Sequence, residues 1–381
     1  MMKTRLIVIT CVLGLVLILN AIPSFFVEGA SANQIVLTKT GQIDTGDAYD
    51  LWIDPENDIA CVTCGYSGIK IFDISDPHSP TGIANVSSSL SGYAHQLVVR
   101  DNLMYIGDGQ GGLKIIDVTD VSNPVVLNQY TGDYAWDVEV IGNTAFVANG
   151  FMGSGDKLTV VNITDPTEPV LLGNHTTVGD ATDIEIVENL AFLTTSYAGF
   201  TVFNISNHTN PIQLGQYEGE STSNAELGDL EIVGNLAFLS YWDKSFKVLN
   251  ISDISNIRVL TEFNESLSTF SVYIEKDRNL AFLCDYELGL LLLDISIPNQ
   301  LSEVARYFDG GKPCRIEVVG NLVYMTDQEN GFVILEIGEI SGFTVGPEHF
   351  LLIGGLAAVI VLIWQLKKGR KSGLSAATLN T

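Results

Sequence analysis

The chain has 381 residues, with 45 acidic and 19 basic side chains and a formal net charge of −26. Setting aside Glu28, Glu348 and the six cations of the two ends (Lys3, Arg5, Lys367, Lys368, Arg370 and Lys371) leaves 43 acids and 13 bases, a charge near −30. Such a balance argues against nucleic acid, whose phosphates need a basic footprint, and against docking on anionic lipid; it allows cations, basic partners or plain solubility.

The N-terminus carries Lys3 and Arg5, then an apolar run from Leu6 to Leu19, and later the small residues Ala30-Ser31-Ala32. This pattern predicts a secretory signal peptide over residues 1–32, with an uncleaved anchor as the alternative. Between the ends one phrase recurs: an apolar stretch closes on Asp or Asn, followed by an aliphatic and then Ser or Thr. It centres on Asp73, Asp117, Asn162, Asn204, Asn250, Asp294 and, in degraded form, Glu336, at steps of 44, 45, 42, 46, 44 and 42 residues. The unit from Asp183 to Tyr217 shows four strand-like runs: Asp183–Val187, Leu190–Thr195, Phe200–Ile205 and Ile212–Tyr217. Glu188-Asn189, residues 196–199 and a loop with Asn210-Pro211 separate them.

Four antiparallel strands at this period, seven times over, predict an all-β, seven-bladed β-propeller across residues 33–342. The seventh unit has the runs Arg315–Val319, Leu322–Thr326 and Phe332–Ile337 but lacks a fourth. The segment Ile35–Ile43 resembles the fourth run of the second unit, so the first strand of the chain is expected to complete the last blade and close the ring. Beyond a short linker at 343–348, residues 349–366 are read as a transmembrane helix: 350–364 carry no charge, and about 17 residues at ~1.5 Å each just span a bilayer core. The cations that follow make 367–381 a short cytoplasmic tail and put the propeller outside the cell. A sorting signal that is later cut off is the alternative.

The phrases Gly112-Leu-Lys-Ile-Ile-Asp-Val-Thr-Asp120 and Gly68-Ile-Lys-Ile-Phe-Asp-Ile-Ser-Asp-Pro77, with the preceding Gly142-Asn-Thr-Ala-Phe-Val147, resemble the LVIVD-repeat proteins of bacterial and archaeal cell surfaces. The resemblance covers residues 34–340. It implies a propeller on an exported protein and implies no catalytic residues.

First strands line the central channel of a propeller. Their first position reads Asp50, Gln96, Asp137, Asp183, Asp229, Ser271 and Arg315; two residues on it reads Trp52, Val98, Glu139, Glu185, Glu231, Tyr273 and Glu317. Crowded carboxylates have raised pKa values unless a cation sits among them, and hard oxygen ligands suit Ca²⁺ or Mg²⁺. Asp183, Glu185, Asp229 and Glu231 are therefore the metal candidates. Trp52 and Tyr273 could add cation–π contacts to an ammonium ligand. The competing reading has each Asp bond the neighbouring blade's backbone N–H groups and hold the ring. Turns at the same end add Asp108, Asp285, Glu287 and Asp327, with the aromatics Phe151, Tyr241, Trp242 and Tyr286, and the returning loops add Asp133, Trp136 and Asp180. An acidic face studded with rings suits protein or glycan partners. The ligand-binding candidates are thus Asp137, Asp183, Asp229, Glu139, Glu185, Glu231, Trp52, Tyr273, Arg315 and Trp242.

Seven Asn-x-Ser/Thr sequons occur, at Asn85, Asn162, Asn174, Asn204, Asn207, Asn250 and Asn264. Asn162, Asn204 and Asn250 stand where the repeat has Asp and read as Asx turns, which leaves Asn85, Asn174 and Asn264 as the better glycosylation candidates. Cys61, Cys64, Cys284 and Cys314 read as buried packing residues or as one disulfide. No Ser or Cys nucleophile shares a motif with a histidine, and there is no phosphate-cradling loop. The expected function is a tethered extracellular binding or adhesion module for protein or glycan. A carboxylate-based polysaccharide hydrolase or lyase, and a structural envelope component, are the alternatives.

Overall fold

The computed structural model describes residues 34–86, 92–151, 154–195, 199–219, 227–241, 246–264 and 268–340. The expected signal peptide, linker, transmembrane helix and tail lie outside these residues, as does Trp242. The compact unit treated below spans Ile35–Glu339.

Seven four-stranded antiparallel sheets follow one another, and among the described residues there is no helix. Their first strands are Leu51–Asp54, Leu97–Arg100, Ala135–Ile141, Ala181–Val187, Leu227–Val233, Thr269–Glu275 and Pro313–Val319. These strands touch their counterparts in the neighbouring sheets, the first against the last included. The fold is a seven-bladed β-propeller.

Position within the blade explains the burial. Second strands such as Ile59–Thr63 are buried along their whole length, because each is covered by a blade on either side. Fourth strands such as Val125–Tyr130 run along the outer rim and are half exposed. Seven apolar clusters form, each drawn from two adjacent blades. Ile71 and Met104 share one, Val98 and Val161 another, and Phe200 and Leu249 a third. The seventh joins the last blade to the first, where Phe72 and Phe332 stack with centroids 5.7 Å apart. No blade hides its faces alone.

The repeated Asp or Asn at the end of the third strand closes an Asx turn, as the sequence suggested. Asp73, Asp117, Asn162, Asn204, Asn250 and Asp294 each accept the N–H of the residue two further on, at 2.8–2.9 Å. The first strands differ from expectation. Blade four begins at Ala181, two residues before Asp183, with a register slip between the two. The same slip separates Ala135 from Asp137, Thr269 from Ser271 and Pro313 from Arg315. A bulge adds one residue and re-aims the next side chain. Here it sets the channel-lining position.

The last sheet has the order Gln34–Ile43, Gly331–Ile340, Leu322–Asp327, Pro313–Val319. Ile35 and Leu37 pack on the cluster that holds Leu290 and Leu335. Gly331, at φ +79°, leaves room for the chain to pass: a Cβ there would lie 2.6 Å from the Ile43 carbonyl oxygen. Deleting 34–43 should therefore strip an edge of its partner and uncover this cluster, lowering stability by on the order of 4 kcal/mol. Adding the missing peptide in trans should restore part of it. Denaturant unfolding checks this, and a deletion variant with the parent's midpoint contradicts it.

Candidate functional site

The bulged first strands bring their side chains to the centre, and there most carboxylates meet backbone. Asp50 accepts the Leu97 N–H at 2.8 Å, Asp137 that of Ile184 at 2.9 Å, Asp183 that of Leu230 at 3.3 Å and Asp229 that of Val272 at 3.1 Å. Each bond runs from one blade to the next. The Glu row two residues on repeats the device: Glu317 accepts the Ile53 N–H at 3.0 Å, while Glu185 and Glu231 face those of Ile232 and Ile274. A second set runs from hydroxyls on the second strands. Thr63, Ser240 and Thr326 donate to the carbonyls of His95, Phe270 and Tyr49 in the following blade, at 2.6, 3.3 and 3.1 Å.

Arg315 stands among these carboxylates. Its guanidinium lies 2.8 Å from Asp229 and 3.4 Å from Asp50 and attracts Asp183 and Asp137, while 33% of its side chain stays open to the lumen. Gln96 donates to Asp183 at 3.0 Å from two blades away. Asp183, Glu185, Asp229 and Glu231, the candidates for Ca²⁺, are thus turned onto backbone or onto Arg315. Among the described residues no three Asp, Glu, His or Cys side chains are placed to share an ion. Trp52 packs against the cluster between blades one and two, and the Tyr273 hydroxyl donates to the Val318 carbonyl at 3.3 Å. The Tyr273 hydroxyl also lies within electrostatic reach of Glu231 and Glu317.

Burial and crowding push the carboxylates up. Desolvation leads in every case, raising Asp50 to about 6, Glu317 to about 7, Glu231 to about 7 and Glu185 to about 9; Glu231 adds to the rise at Glu185. Asp183, Asp137 and Glu139 shift the same way.

The acidic turns are less open than their sequence suggests. Asp108 is fully buried against Lys114 at 3.1 Å. Asp285 and Asp327, also buried, cap their own turns by accepting the N–H groups of Glu287 and Leu288, and of Glu329 and Asn330. The rings at this end form a continuous band instead. Tyr66 meets Tyr93 at 4.7 Å, Tyr93 meets Tyr49 at 5.3 Å and His95 at 4.7 Å, and His95 meets Trp136 at 4.1 Å. Tyr134 lies 5.2 Å from Trp136 and stacks on Phe151 at 4.7 Å. His95 Nε2 shares a 2.7 Å hydrogen bond with the Tyr134 hydroxyl, and burial pushes its pKa down to about 3, so it is neutral. Gly65 and Gly109, at φ +54° and +52°, let the next blade's Tyr93 and Tyr134 lie across their turns; a Cβ on Gly65 would sit 2.7 Å from the Tyr93 ring.

The LVIVD repeat model matches residues 45–87, 91–131, 132–177, 178–219, 226–264 and 310–344. The chain belongs to the LVIVD-repeat family. The unmatched stretch of this LVIVD-repeat protein covers blade six, where Ser271, Tyr273 and Cys284 stand at the positions that hold Asp, Glu and Ser or Thr in most other blades. No curated protein matches the sequence. A crystal structure of a computationally designed protein, Ika8, is similar with a TM-score of 0.55, over 82% of this chain and 91% of that one, at 13% identity; that likeness is one of fold.

Of the expected residues, the structure gathers Asp137, Glu139, Asp183, Glu185, Asp229, Glu231 and Arg315 at the centre. Asn85, Asn174 and Asn264 are exposed. The four cysteines are buried free thiols. Sequence reasoning named only Phe151 and Trp136 of the aromatic band. The signal for the rest was there: the residues just before the first-strand position read Tyr93-Ala94-His95 and Tyr134-Ala135-Trp136 in successive units.

The raised carboxylates set the sign of a pH dependence. Each holds its proton more tightly folded than unfolded, so stability is full below the unfolded values of about 4 and falls as pH rises through the folded ones. Asp73, Asp117, Asp120 and Asp165, lowered by hydrogen bonds within their turns, lose their contribution only at more acid pH. The melting temperature should peak at roughly pH 5 and decline to pH 9. Glu185→Gln should flatten the part between 7 and 9. A melting temperature that climbs from pH 5 to 8 contradicts this electrostatic account.

Proposed function

We propose that this LVIVD-repeat protein is an exported, membrane-tethered interaction module that uses the aromatic band across blades one to three to engage protein or glycan ligands outside the cell. The band carries the reading: a run of touching rings, open at Tyr66 (84% exposed) and Phe151, is the kind of rigid aromatic surface that anchors partners. The apolar, cation-flanked ends of the sequence support export and tethering. The N-terminal strand, outermost beside Gly331–Ile340, is proposed to lock the ring that presents the band. Arg315 supplies positive charge among the central carboxylates, so the reading does not require a divalent cation. The same bonds disfavour the hydrolase or lyase alternative, whose two carboxylates must be free to reach substrate. One observation favours a packing role in the envelope as the second reading: the rim strands expose Val125, Val170 and Ile212 at 56–58%.

An array of defined extracellular glycans and purified matrix proteins, probed with the full chain in detergent, tests the proposal. The expected result is retention on a subset of spots that Tyr66→Ala reduces at least tenfold with the melting temperature unchanged, and that Phe151→Ala also reduces at least tenfold at a temperature where the variant is folded. Retention indifferent to both substitutions would move the contact surface elsewhere.

A further inference from the structure

One end of the band has the makings of a cation site. Tyr66 and Tyr93 stand at 85° to one another and Tyr49 at 63° to Tyr93, so ring faces are turned in different directions around one corner. The Tyr49 and Tyr93 rings pack edge to face with centroids 5.3 Å apart, and Gly65 leaves room for the Tyr93 ring across its turn, which fixes two of the walls. Tyr66 is 84% exposed at the tip of its turn, between Gly65 and Gly68, both in the left-handed region. Asp47 is exposed beside the corner, and no ion pair engages it among the described residues. Burial holds the Tyr49 and Tyr93 hydroxyls above their ordinary pKa, and the Asp47 charge adds to that rise, so the carboxylate lies within electrostatic reach of both rings. Lys70, the cation nearby, donates to the Thr45 carbonyl at 2.7 Å. Tyrosine faces attract a cation through their quadrupole, and a carboxylate adds to that pull. On the same face the protein already uses this chemistry within itself: Lys312 lies over Tyr286 at 5.5 Å, and Lys247 over Tyr241 at 5.0 Å.

The geometry points to the Tyr49–Tyr66–Tyr93 corner, with Asp47 at its edge, as a recognition site for an ammonium group presented by a lysine side chain of a basic partner protein. The inference rests on the reading of the aromatic band as the contact surface and names the chemistry one end of it takes. Charge complementarity selects this partner, since a chain of net charge −26 draws basic segments toward it and repels acidic ones.

The experiment separates ring contact from bulk attraction. Octalysine is titrated calorimetrically into the full chain in detergent, with tetramethylammonium chloride as competitor and octaglutamate as control. Tyr66→Ala leaves every charge in place and removes a ring that is almost wholly exposed, so the fold is undisturbed. The expected result is octalysine binding that Tyr66→Ala weakens at least tenfold, that Asp47→Asn weakens several-fold, that Tyr66→Phe retains and that tetramethylammonium displaces. Equal affinity for parent and Tyr66→Ala would show non-specific attraction and overturn the inference, as would no binding at all. Should a neutral glycan be retained in a Tyr66-dependent way while octalysine is indifferent to Tyr66, the band stands as the contact surface and the ammonium site falls. Should neither depend on the band, both fall.

Discussion

The fold depends on a bond that recurs at most of the seams between blades: an inner-strand carboxylate accepting a backbone N–H of its neighbour. A four-stranded sheet covered on both sides leaves its innermost amides with no strand to pair with, and an unpaired buried N–H costs about as much as a lost hydrogen bond. Asp50, Asp137, Asp183 and Asp229 meet that demand. Thr63, Ser240 and Thr326 meet the matching demand of the carbonyls on the other side of the seam. In blades three and four a bulge immediately precedes the carboxylate that reaches across the seam. Apolar packing supplies the bulk of the stabilisation, but it slides easily; the polar seam fixes the register of blade on blade.

A ring built this way gathers negative charge at its centre, where desolvation is strongest. The protein offsets the charge by keeping several carboxylates prone to protonation and by placing Arg315 where the other blades carry Asp, Gln or Ser. This bears on function. Carboxylates held by backbone and by a guanidinium join blade to blade, so the residues that looked most like a site in sequence have a structural task in the ring. The surface proposed for partners lies at the starts of the first strands, where blades one to three place tyrosine, histidine and tryptophan side by side.

The sequence was most legible where one residue repeats at one spacing for one reason. The phrases around Asp73 to Glu336 betray the blades because the Asx turn needs Asp or Asn at that point in the first six units, while the seventh, with Glu336, keeps the apolar run. The first-strand Asp positions were also legible, and the holding role weighed for them matches the bonds they make. Asp108, Asp285 and Asp327 misled, because an acidic residue in a turn looks the same whether it faces water or caps its own backbone. The aromatic band escaped notice for a different reason. Its rings come from three blades and meet only because Gly65 and Gly109 let the following chain cross so closely. The recurring Tyr93-Ala94-His95 and Tyr134-Ala135-Trp136 marked the positions, but the contact between them crosses a seam between units some forty residues apart.

Native-state hydrogen exchange on the inner-strand amides tests the central claim most directly. The account predicts that the Leu97, Ile184, Leu230 and Val272 amides exchange only through global unfolding. Asp50→Ala should speed Leu97 by at least tenfold while leaving Ile184 and Val272 slow. Fast exchange at all four amides in the parent, or a Leu97 indifferent to Asp50, would contradict it.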